Sequence, residues 1–392
     1  MTPAPMATAV TKLVIVKCDA DDNGHVVFRL SAEALKKILL VPRVANKPVA
    51  VVSVAGAYRM GKSFLLNFFL KYLQWQERGI SDDWLSDEVF QMNGFKWCGG
   101  SERATNGILL WSHPFLVKRT DGKEIAVLLM DTQGTFDSDS TVTDCATVFA
   151  LSTMISSLQI YNLAGNIQED DLQHLDLFSE YGKQALNNSN AKIYQTLLFL
   201  VRDWNYAYEH VLGFAGGKEF LAKRLKISDG MAPEHRHVRE HIAACFADTK
   251  CFLMPHPGME VVTHAKFDGT LKEIRTVFKD QVRSLTEDIL SPDNLVIKNQ
   301  NSGHATADLT CKELVHCVET YAKIFQGSDL PALKTSLLAI AEANHIIASE
   351  SAFEVYNDNM NNECGLNAKY MNQKQFDAKH EFCYNQSIKE SF

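Results

Sequence analysis

The run Gly56-Ala57-Tyr58-Arg59-Met60-Gly61-Lys62-Ser63 fits the pattern G-x-x-x-x-G-K-[ST]. Residues of these types at this spacing are suited to holding phosphate. Successive backbone N–H groups at the start of a helix attract an anion. Lys62 would neutralise β- and γ-phosphates, and the Ser63 hydroxyl would ligate Mg²⁺. Asp131, followed by Thr132, Gln133 and Gly134, closes a second apolar run. An acid in that position beside a phosphate loop supports the metal shell. Gly134 lets the chain turn sharply under the γ-phosphate. Each feature alone has a plainer reading, a glycine turn with a surface lysine and an aspartate capping a turn. Their combination favours the phosphate site.

These residues need strands and helices to place them. Ala50–Ala55 reads as a buried strand leading into the loop, and Gly61–Leu73 as the helix leaving it. Phe64, Leu65, Phe68, Phe69 and Tyr72 recur there at helical spacing. Ile125–Met130, Leu158–Leu163, Thr196–Val201 and Cys251–Met254 read as four more buried strands. Alternation of such runs with helical stretches predicts a parallel sheet covered by helices on both faces. Ligands of that architecture bind at the carboxyl ends of the strands. Gln326–Pro331 carries turn signals without periodicity and reads as a linker. Beyond it Ala341, Ala348, Ala352 and Val355 follow small-residue spacing suited to helix packing. A break falls at Cys364–Asn367, and a second helix runs from about Asn372.

The 392 residues carry 39 Lys plus Arg against 47 Asp plus Glu, a net charge of −8. That balance argues against a general nucleic-acid binder. Hydrophobic residues at 46% and charged residues at 22% are globular usage, which excludes a fibrous or disordered chain. Nine cysteines without a C-x-x-C pair argue against a disulfide or zinc framework and fit a reducing compartment. Met1–Lys17 lacks the pattern of a signal peptide, and apolar runs such as Leu197–Val201 are strand-sized. The given residues are therefore expected not to cross a membrane.

The phosphate loop Gly56–Ser63, the stretch Gly100-Ser101-Glu102-Arg103-Ala104-Thr105-Asn106-Gly107-Ile108 and Asp131–Gly134 together resemble an atlastin, of the dynamin superfamily. Ala146–Ser157, Gln168–Leu175, Val201-Arg202-Asp203-Trp204 and Pro255-His256-Pro257-Gly258 agree, and the likeness covers about residues 25–365. The loops separate the chain from the related guanylate-binding proteins. The resemblance implies an α/β P-loop GTPase domain, doubly wound with a mostly parallel sheet, over residues 1–324. A linker over 325–333 and an incomplete three-helix middle domain over 334–392 would follow. It also implies Mg²⁺-dependent conversion of GTP to GDP and phosphate, and nucleotide-driven homodimerisation through the heads and the middle domain. Tethering and fusion of endoplasmic reticulum membranes from the cytosolic face would be the outcome. That membrane role requires a segment beyond these residues; without one the chain would be cytosolic.

By the same resemblance Arg59 is an internal arginine finger and Thr105 the switch threonine that meets Mg²⁺ and the γ-phosphate. A charge supplied in cis can be worth roughly 10³–10⁵ in rate. Metal contacts fall to Ser63, Thr105 and Asp131. Nucleotide contacts fall to Arg59, Met60, Gly61, Lys62, Ser63, Phe64, Gln133, Arg202, Asp203, Val261 and His264. Asp203 would accept from guanine N1–H and the 2-amino group, a donor pair that adenine lacks. Without the resemblance, Arg202-Asp203 reads as a surface ion pair. Val261–His264 would cap the base. Met60 stands where the family has Lys, Asn106 replaces a second Thr, and His264 replaces an Asn. An alternative is a guanine-nucleotide-gated soluble scaffold with slow hydrolysis; a P-loop ATPase of another class is a third reading. Weaker candidates are a metal at His235, His237 and His241, another at Cys311, His316 and Cys317, and Glu169–Asp171 as a metal site instead of a charged helix start.

Overall fold

A computed structural model describes residues 12–20, 26–57, 60–79, 83–86, 93–97, 107–134, 142–175, 194–264, 267–299, 307–324, 333–364 and 371–391. The strands are β1 (Lys12–Ala20), β2 (Val26–Leu30), β3 (Val49–Gly56), β4 (Ile108–Trp111), β5 (Phe115–Lys118), β6 (Glu124–Thr132), β7 (Leu158–Ala164), β8 (Tyr194–Arg202) and β9 (Phe246–Leu253). They form one sheet in the order β2-β1-β4-β6-β3-β7-β8-β9, with β5 also paired to β6. The helices are α1 (Ala32–Leu39), α2 (Lys62–Arg78), α3 (Val142–Ile155), α4 (Gly213–Arg224), α5 (Pro233–Cys245), α6 (Met259–Thr263), α7 (Thr276–Leu290), α8 (Cys311–Ile324), α9 (Leu333–Cys364) and α10 (Gln373–Ser391).

The five apolar runs become the five adjacent parallel strands β6, β3, β7, β8 and β9. The last of them begins earlier than expected, at Phe246, and ends before Met254, whose N–H donates to Val201 O. The sheet is mixed, which the alternation pattern did not foresee. β4 and β5 share one edge of β6 and run antiparallel to it, and β1 and β2 extend the sheet beyond β4. Short antiparallel strands need only tight turns to pair, so they leave little periodicity to read.

β3 is buried at all eight positions. Val49, Val51 and Ala55 enter one core, and Ala50, Val52 and Val54 enter the other. Alternate side chains of a strand point to opposite faces, so a continuous apolar run requires cover on both sides. α2 supplies it on one face through Phe64, Leu65, Phe68, Phe69 and Leu73. α3 supplies it on the other through Val148, Phe149, Leu151 and Met154. Successive crossovers carry the chain from β3 to β6 on one side and to β7 on the other. The strand order therefore reverses at β3, and a crevice opens at its carboxyl end.

Residues 325–332 of the expected linker lie outside the described residues, as do residues 365–367 of the break, while Leu333, the linker's last expected residue, opens α9. α9 ends at Cys364, where the break was expected. It meets α8 through Lys312–Glu354 at 3.0 Å and His316–Glu350 at 3.4 Å. Among the described residues no helix is long and apolar enough to cross a membrane.

Candidate functional site

β3 delivers the chain to the crevice at Gly56, whose φ of +139° disfavours any side chain. A Cβ there would lie 2.3 Å from Asn162 O on the neighbouring strand β7. Gly61 precedes α2 in the left-handed conformation, φ +69°, with Arg202 close beside it. Lys62 follows, nearly buried, and its Nζ donates to Gly56 O at 3.1 Å and Ala57 O at 2.9 Å. The ammonium is thus folded over the loop, between the carbonyls and the start of the helix.

Ser63 Oγ donates to Asp131 Oδ2 at 2.6 Å. The two residues face each other because β3 and β6 are paired in parallel, with Val54 opposite Asp131. Thr132 Oγ1 donates to Val54 O at 2.8 Å and ties the ends of the two strands together. Gln133 reaches across to Gly107. Its N–H donates to Gly107 O at 2.7 Å, and its Oε1 accepts from Gly107 N at 2.9 Å.

The Met60 carbonyl is gripped by two donors, Asn162 Nδ2 at 2.8 Å and Arg202 Nη1 at 2.9 Å. Asn162 was not foreseen as part of the site. Its only signal is an amide at the carboxyl end of an otherwise apolar strand. Arg202 is buried, and its guanidinium lies over the Phe278 ring, 5.9 Å from the centroid. Burial pulls its pKa below the ordinary value, and the Asp203 carboxylate opposes that shift.

Asp203 follows at φ +59°, the one non-glycine with positive φ among the described residues. Its Oδ1 is buried and has no hydrogen-bond partner among the described residues. On the far side of this oxygen's loop, Trp204 N donates to Met254 O at 3.0 Å, so the loops after β8 and β9 are joined. The second loop continues into α6, where Val261 packs on the core and His264 is exposed, its Nδ1 3.8 Å from Glu273.

Met60, Gly61, Lys62, Ser63, Phe64, Asp131, Gln133, Arg202, Asp203, Val261 and His264 all stand at or beyond the carboxyl ends of the parallel strands. Arg59 and Thr105 lie outside the described residues. The weaker metal candidates gain nothing. Among the described residues no group of three or more His, Cys, Asp or Glu could hold an ion. Glu169 opens a helical stretch over 169–175 and pairs with Arg239 at 3.0 Å. A groove of about 440 Å³ between α4 and β9 lies three strands from β3 and is separate from the site.

A mostly parallel sheet that reverses beside this loop defines a P-loop nucleotide-binding domain, followed here by a helical region. The family described as guanylate-binding protein, N-terminal domain, matches residues 25–299. Atlastin-3 of Mus musculus is 49% identical over 353 residues, 90% of this chain and 64% of its own length. Atlastin-1 of Bos taurus is 48% identical over 387 residues, covering 99% of this chain and 67% of its own. Atlastin-2 of Homo sapiens is 48% identical over 366 residues, with 93% and 61% covered. The chain belongs to the guanylate-binding protein N-terminal domain family and, within it, to the atlastins. It spans 64% of the length of the first of these relatives.

Proposed function

We propose that the chain is a Mg²⁺-dependent enzyme that hydrolyses GTP to GDP and phosphate and uses the nucleotide state to control self-association. One observation carries this reading. Arg202 donates to the phosphate loop at Met60 O, while the next residue, Asp203, presents a buried carboxylate oxygen that has no partner among the described residues. A group able to select guanine thus adjoins a loop able to hold its phosphates. A carboxylate buried without donors costs free energy that a bound base with two N–H groups offsets.

The donor set fits the metal. A serine hydroxyl and a carboxylate are hard oxygen ligands, and Mg²⁺ favours one or two such groups completed by phosphate and water. Ser63 and Asp131 would hold it, with Thr105 as a further ligand. When bound, Mg²⁺ neutralises charge on the β- and γ-phosphates. Lys62 adds a second positive charge from the helix side. Arg59 stabilises charge that develops on the leaving oxygens, and Gln133 orients the chain at Gly107, two residues past Thr105. Val261 and His264 border the base.

Residues 1–324 form the GTPase domain in this reading, 325–333 the linker and 334–392 part of a helical middle domain. Phe353, Phe382 and Tyr384 are exposed on α9 and α10, which supports a further helix or second copy packing there. In a longer protein with a membrane anchor, homodimerisation would tether and fuse endoplasmic reticulum membranes.

GTP turnover with Mg²⁺, and light scattering in GDP against a transition-state mimic, test the proposal. Turnover should occur, ATP should compete poorly, and mass should rise with the mimic. Arg59→Ala should lower turnover by about 10³-fold. Equal rates for wild type and Arg59→Ala would favour a nucleotide-gated scaffold instead.

A further inference from the structure

One residue of β7 touches the phosphate loop at both of its ends. Asn162 stands opposite Gly56 in the parallel register of β3 and β7. Its carbonyl oxygen lies 2.3 Å from where a Cβ on Gly56 would fall, so the strand end closes against the first glycine of the loop. Its side chain turns to the other end, where Nδ2 donates to Met60 O at 2.8 Å. The residue is fully buried. It is laddered to Gly56 on one side and to Leu200 of β8 on the other. Two ladders fix its backbone, so only the side-chain torsions remain to aim the amide, and close packing restricts those.

The Met60 carbonyl takes a second hydrogen bond from Arg202 Nη1, at 2.9 Å. A carbonyl oxygen has two lone pairs, so donors from two strand ends satisfy it in full. A peptide unit is planar and trans, and its N–H points away from its C=O. Among the described residues no peptide bond is cis. Met60 O faces the ends of β7 and β8, and the Gly61 N–H of the same unit therefore faces away from them, into the loop. Gly61 holds φ +69°, and α2 starts at the next residue. A left-handed residue at a helix start gathers successive N–H groups into a concave anion nest. Turning the Met60–Gly61 peptide over would aim a carbonyl at that nest and an N–H at two donors.

We propose that Asn162 is a positioning residue for the nucleotide's phosphates. It acts through the Met60 carbonyl and keeps the Gly61 N–H turned toward a bound diphosphate. The inference rests on the reading of this loop as a GTP site and adds a residue that works from behind the loop. Arg202 shares the carbonyl, but its neighbour Asp203 ties it to the base side; Asn162 serves the phosphate side alone. A backbone N–H in this nest meets substrate, transition state and product alike. The device therefore governs affinity and leaves the chemical step largely unchanged.

The test compares GDP with guanosine, which shares the base and lacks phosphate. Asn162→Leu keeps the volume and removes the donor; Asn162→Ala removes both, which guards against one variant failing to fold. In each, GDP affinity should fall about tenfold, the size of one hydrogen bond. KM for GTP should rise by the same factor, while kcat stays within about threefold of wild type. Guanosine, competed at millimolar concentration against fluorescent GDP, should bind the variants as it binds wild type. A second measurement needs no variant. Met60 is the one methionine followed by glycine, so labelling Met carbonyl carbons and Gly nitrogens isolates the Gly61 amide by NMR. Saturating GDP should shift that resonance and slow its exchange with solvent, and guanosine should do neither. A Gly61 amide indifferent to GDP would overturn the proposal. So would equal losses of GDP and guanosine affinity, or a fall in kcat with KM unchanged. A wild type that binds no GDP would remove the GTP-site reading itself, and this inference with it.

Discussion

The two ends of the parallel sheet are built from the same strands and serve opposite purposes. At the carboxyl ends the chain accepts unfavourable local conditions. Gly56 and Asp203 hold positive φ, Asp203 Oδ1 lacks a partner among the described residues, and Ser63 and Asp131 lie in contact. At the amino ends chain segments are tied together by hydrogen bonds, although Gln159 Nε2 and Asn299 Oδ1 lack partners among the described residues. Lys298 N donates to Val49 O at 2.7 Å, and Leu309 N donates to Lys298 O at 2.7 Å. Lys298 Nζ donates to Ser156 O at 3.0 Å, and Gln195 Nε2 donates to Ile297 O at 2.7 Å. Ser157 N donates to Val51 O at 3.0 Å. The lesson is a division of labour along one set of strands. Recognition collects where backbone is held at positive φ and a charged oxygen is left without a partner, and cohesion where hydrogen bonds tie distant segments together.

Substitutions can break that division or sharpen it. The largest effect is expected from Asp203→Asn. Xanthine carries a carbonyl where guanine has its 2-amino group, so an amide donor should favour it. The ratio of kcat/KM for GTP to that for XTP should swing by about 10⁴-fold, since sites built around paired hydrogen bonds reject the mismatched partner strongly. A second substitution at the same end, Lys62→Ala, should lower GTP turnover by about 10³-fold through lost charge stabilisation. Its thermal midpoint should stay near wild type. A marked drop in the midpoint would show that the carboxyl end also carries stability, and the division would fail.

The amino end supplies the converse test. Burial pushes the Lys298 ammonium down to about 8 from an ordinary value of 10.5, with the nearby Cys317 opposing. Between those values the unfolded chain holds a proton that the folded chain has released. Stability from this group therefore climbs as pH rises from about 8 to 10.5, and it is lost as pH falls back through the window. Below pH 8 both states are protonated and the dependence vanishes. The whole change amounts to about 3 kcal/mol. Urea unfolding of wild type and Lys298→Met across this range should show the rise as the difference between the two, because buried Cys251 and Cys311, pushed up from 9.0, lower stability with pH in both. GTP turnover of Lys298→Met at neutral pH should match wild type. A slowed variant would mean that the amino end reaches the chemistry.

Much of the carboxyl end is legible in the residues themselves. The phosphate loop is local, and the buried strands around it are continuous apolar runs, so pattern and packing agree. Asp131 is legible for the same reason, as an acid ending such a run. The rest depends on pairs distant in sequence. Arg202 reads as one half of a surface ion pair, yet its buried guanidinium grips Met60 O. Nothing in the spacing of Arg202 and Met60 announces that contact, because the end of β8 and the loop after β3, with β7 between those strands, bring together residues 142 positions apart. Asn162 and the Lys298–Ser156 contact are hidden likewise. β4 and β5, of four residues each, are too short for alternation to register.

The left-handed backbone at Asp203 has an evolutionary consequence. Glycine would occupy that conformation at lower cost than a residue with a Cβ, by about 1 kcal/mol. Mutational drift toward a more robust fold would therefore replace the carboxylate, and a lineage that keeps it does so against that pull. Attempts to make the protein hardier by relaxing such positions would erode its ability to tell one purine from another.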